Sequence, residues 1–197
     1  STYALKHHIS LASVFSLIRR LRTKLEVPLL MMGYYNPILK QGLGNFSKKA
    51  KQCGLDAIIV PDLPIEESRD FKKFLSQNKI HLINFVAPTT DSSRVKKIAA
   101  ASKGFIYYVS LTGVTGARAT LPTDIAAHVR LLKRISRVPV CVGFGVSTRA
   151  QLELLSRSCD GVIVGSAIIK KIKENIGRKD LIPKVTSFVR SLIPKNV

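Results

Sequence analysis

The sequence predicts an α/β protein in which parallel strands each feed a helix. Three observations carry this. Short apolar runs alternate with helix-periodic segments six times along the 197 residues. The runs are apolar at every position rather than at alternate ones, the pattern of strands covered on both faces. No stretch has the composition of a linker, so residues 1–197 read as one domain, of a length that supports a real core.

The elements follow in order. Leu11, Val14, Phe15, Ile18, Leu21 and Leu25 recur at helical spacing, and "PLLMM" (28–32) is a short strand. Leu43, Phe46, Ala50 and Cys53 mark a helix that Gly54 ends. Strand 56–60 leads to a helix around Phe71, Phe74 and Leu75, then to strand 80–87. A helix holding Val95, Ile98 and Ala99 precedes strand 104–110. A helix with Ile125, Val129 and Leu132 precedes strand 139–145. Leu152 and Leu155 mark a helix before strand 161–165, and Leu181, Val185, Phe188, Val189 and Leu192 make the last amphipathic helix.

A doubly wound sheet and a (β/α)₈ barrel both fit this alternation, and two features favour the barrel. No early strand carries a G-x-G-x-x-G turn. The last two strands instead end in "GFGVS" (143–147) and "VGSAI" (164–168), the place where barrels bind phosphate with two loops and a helix N-terminus. Gly143 and Gly145 would let backbone amides approach a ligand. Gly165 and Ser166 open the helix "SAIIKKIKE", whose first N–H groups face an anion.

Composition narrows the partners. Lys and Arg number 32 against 12 Asp and Glu, for a formal net charge of +20. That balance favours anionic ligands: phosphate esters, nucleic acid, anionic lipid or an acidic protein. The bases lie mostly on helix faces and read as a solvated surface, and the aromatics are not interleaved with them. No specific nucleic-acid partner is therefore expected. The three cysteines, Cys53, Cys141 and Cys159, have no metal spacing and suit a reducing cytosol, with Cys141 read as core packing. No metal site is expected. No apolar run approaches the roughly 18 residues of a membrane span, and "STYALKHHIS" has no secretory core, so a cytoplasmic location is expected.

In order after successive strands stand "MGYYNPI" (32–38), "PDLPIEES" (61–68), "LTGVTGAR" (111–118), "GFGVS" (143–147) and "GSAI" (165–168). Together these resemble the tryptophan synthase alpha chain family over essentially the whole chain. The resemblance implies a (β/α)₈ barrel and a lyase of L-tryptophan biosynthesis. It would cleave indole-3-glycerol phosphate to indole and glyceraldehyde 3-phosphate. It also implies an α₂β₂ heterotetramer with a beta chain. That partner holds pyridoxal phosphate, and this subunit has no cofactor. By the same resemblance Thr115 closes a mobile loop over the site and Gly116, Gly145, Gly165 and Ser166 meet the phosphate. Tyr107 and Phe144 line the indole pocket, and Tyr34 lies near the catalytic carboxylates. Asn36, Asp62 and Pro64 face the beta chain.

One departure matters. The family's acid–base Glu, at the end of strand two, and its charge-stabilising Asp, in the loop that follows, match no position of this sequence. "PLLMM" corresponds to strand three, so the first two strands and the first helix of the barrel are missing. Six strands cannot close an eight-stranded barrel, and the strands beside the gap are expected to expose apolar edges. A partial sequence, a truncated gene and a rearranged smaller fold are the open explanations. The chain by itself is expected to be inactive. The alternative is a non-catalytic phosphate-binding barrel that only binds and activates the beta chain. Nucleic-acid binding through net charge, and another phosphate-binding barrel of aromatic amino-acid synthesis, are weaker readings.

The acidic cluster 62–70 divides. Glu66 and Glu67 read as first-turn residues of a helix after Pro64, favourable to its dipole. Asp70 reads as surface on that helix. Asp62 sits at the C-terminal end of a strand, where functional groups collect.

Overall fold

The computed structural model describes residues 9–109, 123–143 and 145–193. Thr115, Gly116 and Phe144 lie outside them. The chain divides into one compact unit that ends at Asn84 and another that begins at Phe85. Described residues form six strands and nine helices.

In the first unit α1 (Leu11–Arg22) leads to β1 (Leu30–Met32), α2 (Tyr35–Gln41), α3 (Leu43–Cys53), β2 (Ala57–Ile59), α4 (Arg69–Gln77) and β3 (His81–Val86). Ser10 and Ser13 close a reciprocal capping box on α1. The strands are parallel. Leu30 stands opposite Ala57, and Ala57 opposite His81. Met31, Ile58 and Leu82 therefore share one face, and all three belong to the unit's hydrophobic core. Phe15, Phe46 and Phe71, from α1, α3 and α4, join them there. Their ring centroids lie 5.4 Å (15 to 46) and 5.8 Å (46 to 71) apart, contacts of about 0.5–1.5 kcal/mol each beyond area burial.

Two connections are pinned by one arginine. Gly54 ends α3 at φ +85°, and a Cβ there would stand 2.6 Å from Arg22 Cγ. The Arg22 guanidinium donates to the carbonyls of Gly54, Leu25 and Val27 and pairs with Asp56. Asp56 also accepts the Leu29 N–H at 2.7 Å. The entry to β1 is thus tied to the entry to β2. On β1, Met32 is 63% exposed and Leu30 39%.

In the second unit α5 (Ser92–Ala101) leads to β4 (Ile106–Val109), α6 (Thr123–Ile135), β5 (Val140–Gly143), α7 (Arg149–Ser156), β6 (Gly161–Ile163), α8 (Ser166–Glu174) and α9 (Leu181–Leu192). β4, β5 and β6 are parallel, with Tyr107 opposite Cys141 and Cys141 opposite Gly161. Ile106, Tyr108, Val140 and Val142 are buried, as are Ile98, Val129 and Leu132 of α5 and α6. Asp160 repeats the device of Asp56. It accepts the Val140 N–H at 2.8 Å and pairs with Lys133 at 2.7 Å, so the residue before β6 holds the start of β5.

Three expectations change. The helix-like pattern at Leu25 ends earlier, since α1 stops at Arg22 and "TKLEVP" carries the chain into β1. A helix unforeseen in the sequence, α2, follows β1. Its signal was Pro37, which a first helical turn tolerates because the N–H groups there are unpaired. Glu66 and Glu67 do not open a helix. They lie in turns before Ser68, α4 begins at Arg69, and Asp70 is the acidic residue of its first turn. Asp70 is exposed, as expected.

Candidate functional site

Alternation along β4 and β5 separates two faces. Ile106, Tyr108, Val140 and Val142 point to the helices, while Tyr107, Val109, Cys141 and Gly143 point the other way and are only half-buried. Complete burial of both strand faces, expected from composition, is not met here. This half-covered face is where the second unit can hold a ligand.

Tyr107 dominates it. Its ring lies 5.1 Å, centroid to centroid, from Phe85 and covers Gly143. A Cβ on Gly143 would stand 2.5 Å from both Tyr107 Cε2 and Oη. The ring needs the space, which is reason enough for glycine at 143. Cys141 is fitted in the same way: a Cβ on Gly161 would stand 2.9 Å from its sulfur. Burial, helped by Cys159 and Asp160, pushes the Cys141 thiol up to about 11, which keeps it protonated and a poor nucleophile. Burial also raises the Tyr107 phenol, so the face is neutral at physiological pH. Phe85 was missed in the sequence, since nothing in an apolar run says which residue will meet Tyr107.

Past the strand ends the two helix N-termini differ. α7 is closed by its own side chains. Thr148 accepts the Gln151 N–H, and Gln151 Oε1 accepts the N–H groups of Ser147 and Thr148. α8 has Gly165 as N-cap and no side-chain cap. The first turn of α8 thus keeps donors and the positive end of the helix dipole for an anion. Gly165 and Ser166 are exposed, with open space where a Gly165 Cβ would stand. Gly145 is also exposed and open, and its φ of +53° favours glycine. Three carboxylates of this unit are engaged elsewhere. Asp91 caps α5, Asp160 is held by Val140 and Lys133, and Asp180 pairs with Lys184 and Arg178.

The first unit groups the other candidates. Both Asp62 oxygens accept the Tyr35 N–H, at 3.0 and 3.1 Å. Tyr34 is the N-cap of α2 and offers no side-chain acceptor, so Asp62 caps that helix from the end of the neighbouring strand. Tyr34, Asn36, Asp62 and Pro64 are all exposed around this contact. Among the described residues no three His, Cys, Asp or Glu side chains cluster for a metal, and no helix is long and apolar enough to cross a membrane.

Parallel strands alternating with helices define an α/β protein of the strand–helix repeat class, here with an aromatic half-open face and a helix N-terminus that has no side-chain cap. The particular family is shown by comparison. The family model "Tryptophan synthase alpha chain" matches residues 1–192, and the chain belongs to that family. Similar proteins include the tryptophan synthase alpha chain of Geobacter sulfurreducens, 41% identical over 98% of this chain and 72% of that one. The alpha chain of Thermoanaerobacter sp. strain X514 is 38% identical over 98% and 73%. Among solved structures, a Pyrococcus furiosus chain described under mutual activation of the tryptophan synthase α₂β₂ complex superposes with a TM-score of 0.87. It is 38% identical, with 96% of this chain and 76% of that chain covered. The alpha chain from Legionella pneumophila gives 0.83 at 31% identity, covering 96% and 72%.

Proposed function

We propose that this chain is the phosphate- and indole-recognising part of a tryptophan synthase alpha subunit. The relevant reaction is retro-aldol cleavage of indole-3-glycerol phosphate. One observation carries the reading: the uncapped N-terminus of α8 stands after the strand next to the face formed by Phe85, Tyr107 and Gly143. The phosphate takes the first-turn N–H groups at Gly165 and Ser166, with Gly145, Thr115 and Gly116 completing its cradle. The indole ring lies against Tyr107 and Phe144. In this reading the six strands are strands three to eight of a (β/α)₈ barrel, within one partial domain.

The family's Glu and Asp match no residue here, and Asp91, Asp160 and Asp180 of the second unit are held by a cap or ion pairs. A positioned acid–base group contributes about 10²–10⁴ in rate, so the 197 residues by themselves bind the phosphate ester without releasing indole. Calorimetric titration with glyceraldehyde 3-phosphate tests binding. Ser166→Asp sets a negative charge in the first turn of α8 and should weaken binding at least tenfold. Unchanged affinity in that variant refutes the phosphate placement. Indole release from the purified chain refutes the inactivity.

A second reading is favoured by the exposed Asp62 and its link to α2. Asp62, Asn36 and Pro64 form a surface for a beta chain, with Tyr34 beside it, in an α₂β₂ assembly located in the cytoplasm. The chain then activates its pyridoxal-phosphate partner without catalysis of its own. Titrating folded chain into beta subunit, with serine and indole as substrates, should raise its rate. A flat titration rejects this role.

A further inference from the structure

Tyr107 and Tyr108 are successive residues of β4 and face opposite ways. Tyr107 belongs to the proposed substrate face. Tyr108 points to the helix side, where a cavity of about 210 Å³ lies between α5 and α6. Its apolar wall includes Val86, Val95, Leu132 and Ile135. Its polar lining residues include Thr90, Ser92, Tyr108 and His128, with the Tyr108 hydroxyl 3.4 Å from His128 Nδ1. That is long for a hydroxyl hydrogen bond, whose usual length is about 2.7–2.8 Å. Tyr108 is only 1% exposed, so its hydroxyl is a buried polar group whose recorded contact is this loose one at the cavity wall.

The geometry points to a second ligand site here, for a small uncharged aromatic molecule of phenol or indole size carrying one O–H or N–H. The walls take the ring, and the ligand's polar group replaces the loose contact between the Tyr108 hydroxyl and His128 Nδ1 with a shorter hydrogen bond to one of them. The volume suits this class, since an apolar cavity of about 150 Å³ already holds benzene. The ligand is uncharged because, among the described residues, no acidic side chain lines the cavity and the lining lysine, Lys96, is exposed to screening water. The site lies on the other side of β4 from the proposed substrate face and does not depend on that reading.

The test uses the full chain with ¹³C-labelled histidine and tyrosine, titrated with phenol and followed by NMR. Saturable shifts of the His128 and Tyr108 ring signals, with Tyr107 unmoved, are expected. Leu131 lines the cavity and is 56% exposed, so Leu131→Trp fills the cleft without touching the core and should weaken phenol at least tenfold. Tyr108→Phe keeps the ring and removes the hydroxyl. It should weaken phenol about two- to tenfold, the value of one hydrogen bond, while leaving benzene binding unchanged. The proposal is overturned if His128 does not shift, if Leu131→Trp binds phenol as well as the parent, or if the shifts fall on Tyr107. Tighter binding of benzoate than of phenol overturns the uncharged class.

Discussion

Gly143→Ala is the sharpest test of the site geometry. The new methyl carbon would stand 2.5 Å from Tyr107 Cε2 and Oη and 2.8 Å from Cζ. Ordinary carbon contacts are about 3.5–4.0 Å, so the ring must retreat by about 1 Å. Phe85, with its ring centroid 5.1 Å away, stands on the same face and limits the retreat. The φ of Gly143 is not positive, so the backbone itself accepts alanine and the whole cost is packing. Overpacking of this kind costs about 1–3 kcal/mol. At an m-value of about 2 kcal/mol/M in urea, the unfolding midpoint should fall by roughly 0.5–1.5 M. The chain has no tryptophan, so circular dichroism is the suitable probe. The cause is isolated by a double-mutant cycle with Tyr107→Ala, in which the added methyl meets no ring and should cost little. An equal midpoint shift in both backgrounds, or none in either, would refute the reasoning.

Asp62→Ala removes the side-chain acceptor at the start of α2 and should cost about 1 kcal/mol, the usual value of a helix cap. Asp62→Asn should recover most of it, and equal losses in both variants would show that the cap is not the cause. Lys133 first, and the Val140 N–H second, hold the Asp160 carboxyl below its ordinary value of 3.8. Its stabilising contribution is therefore full above about pH 4 and lost as the pH falls through the lower folded value. Asp160→Asn keeps an acceptor for Val140 and loses Lys133, so its melting temperature should lie slightly below the parent's at pH 7 and converge with it near pH 2. The pair is about one-third exposed, which limits the gap to roughly 0.2–1 kcal/mol. Phe46→Ala empties the centre of the first unit's ring cluster and should cost about 3–5 kcal/mol, read as a denaturation midpoint. A loss under 1 kcal/mol would mean the ring cluster collapses around the gap.

The strand–helix alternation was legible because each element writes its period locally. Phe15 with Ile18, and Phe71 with Leu75, repeat at helical spacing and are buried. The open turn at Gly165 and Ser166 was legible too, since an uncapped helix start is a matter of adjacent residues. What escaped the sequence depends on register. Asp62 reaches Tyr35 across 27 positions, and Asp56 reaches Leu29 across the same interval. Each contact exists because parallel strands bring the ends of successive repeats side by side. The acidic cluster around Asp62 read as a helix start beside one strand-end Asp. The fold instead makes Asp62 a cap and leaves Glu66 and Glu67 in turns. Gly143 shows the same division: its sequence neighbours suggested a phosphate turn, and the ring that requires the glycine belongs to Tyr107, on the adjacent strand. Local periodicity and turn chemistry settled the class of fold and the helix start that has no side-chain cap. Only tertiary structure decided which side chains share a face, because strand register places residues far apart in the chain within contact of one another.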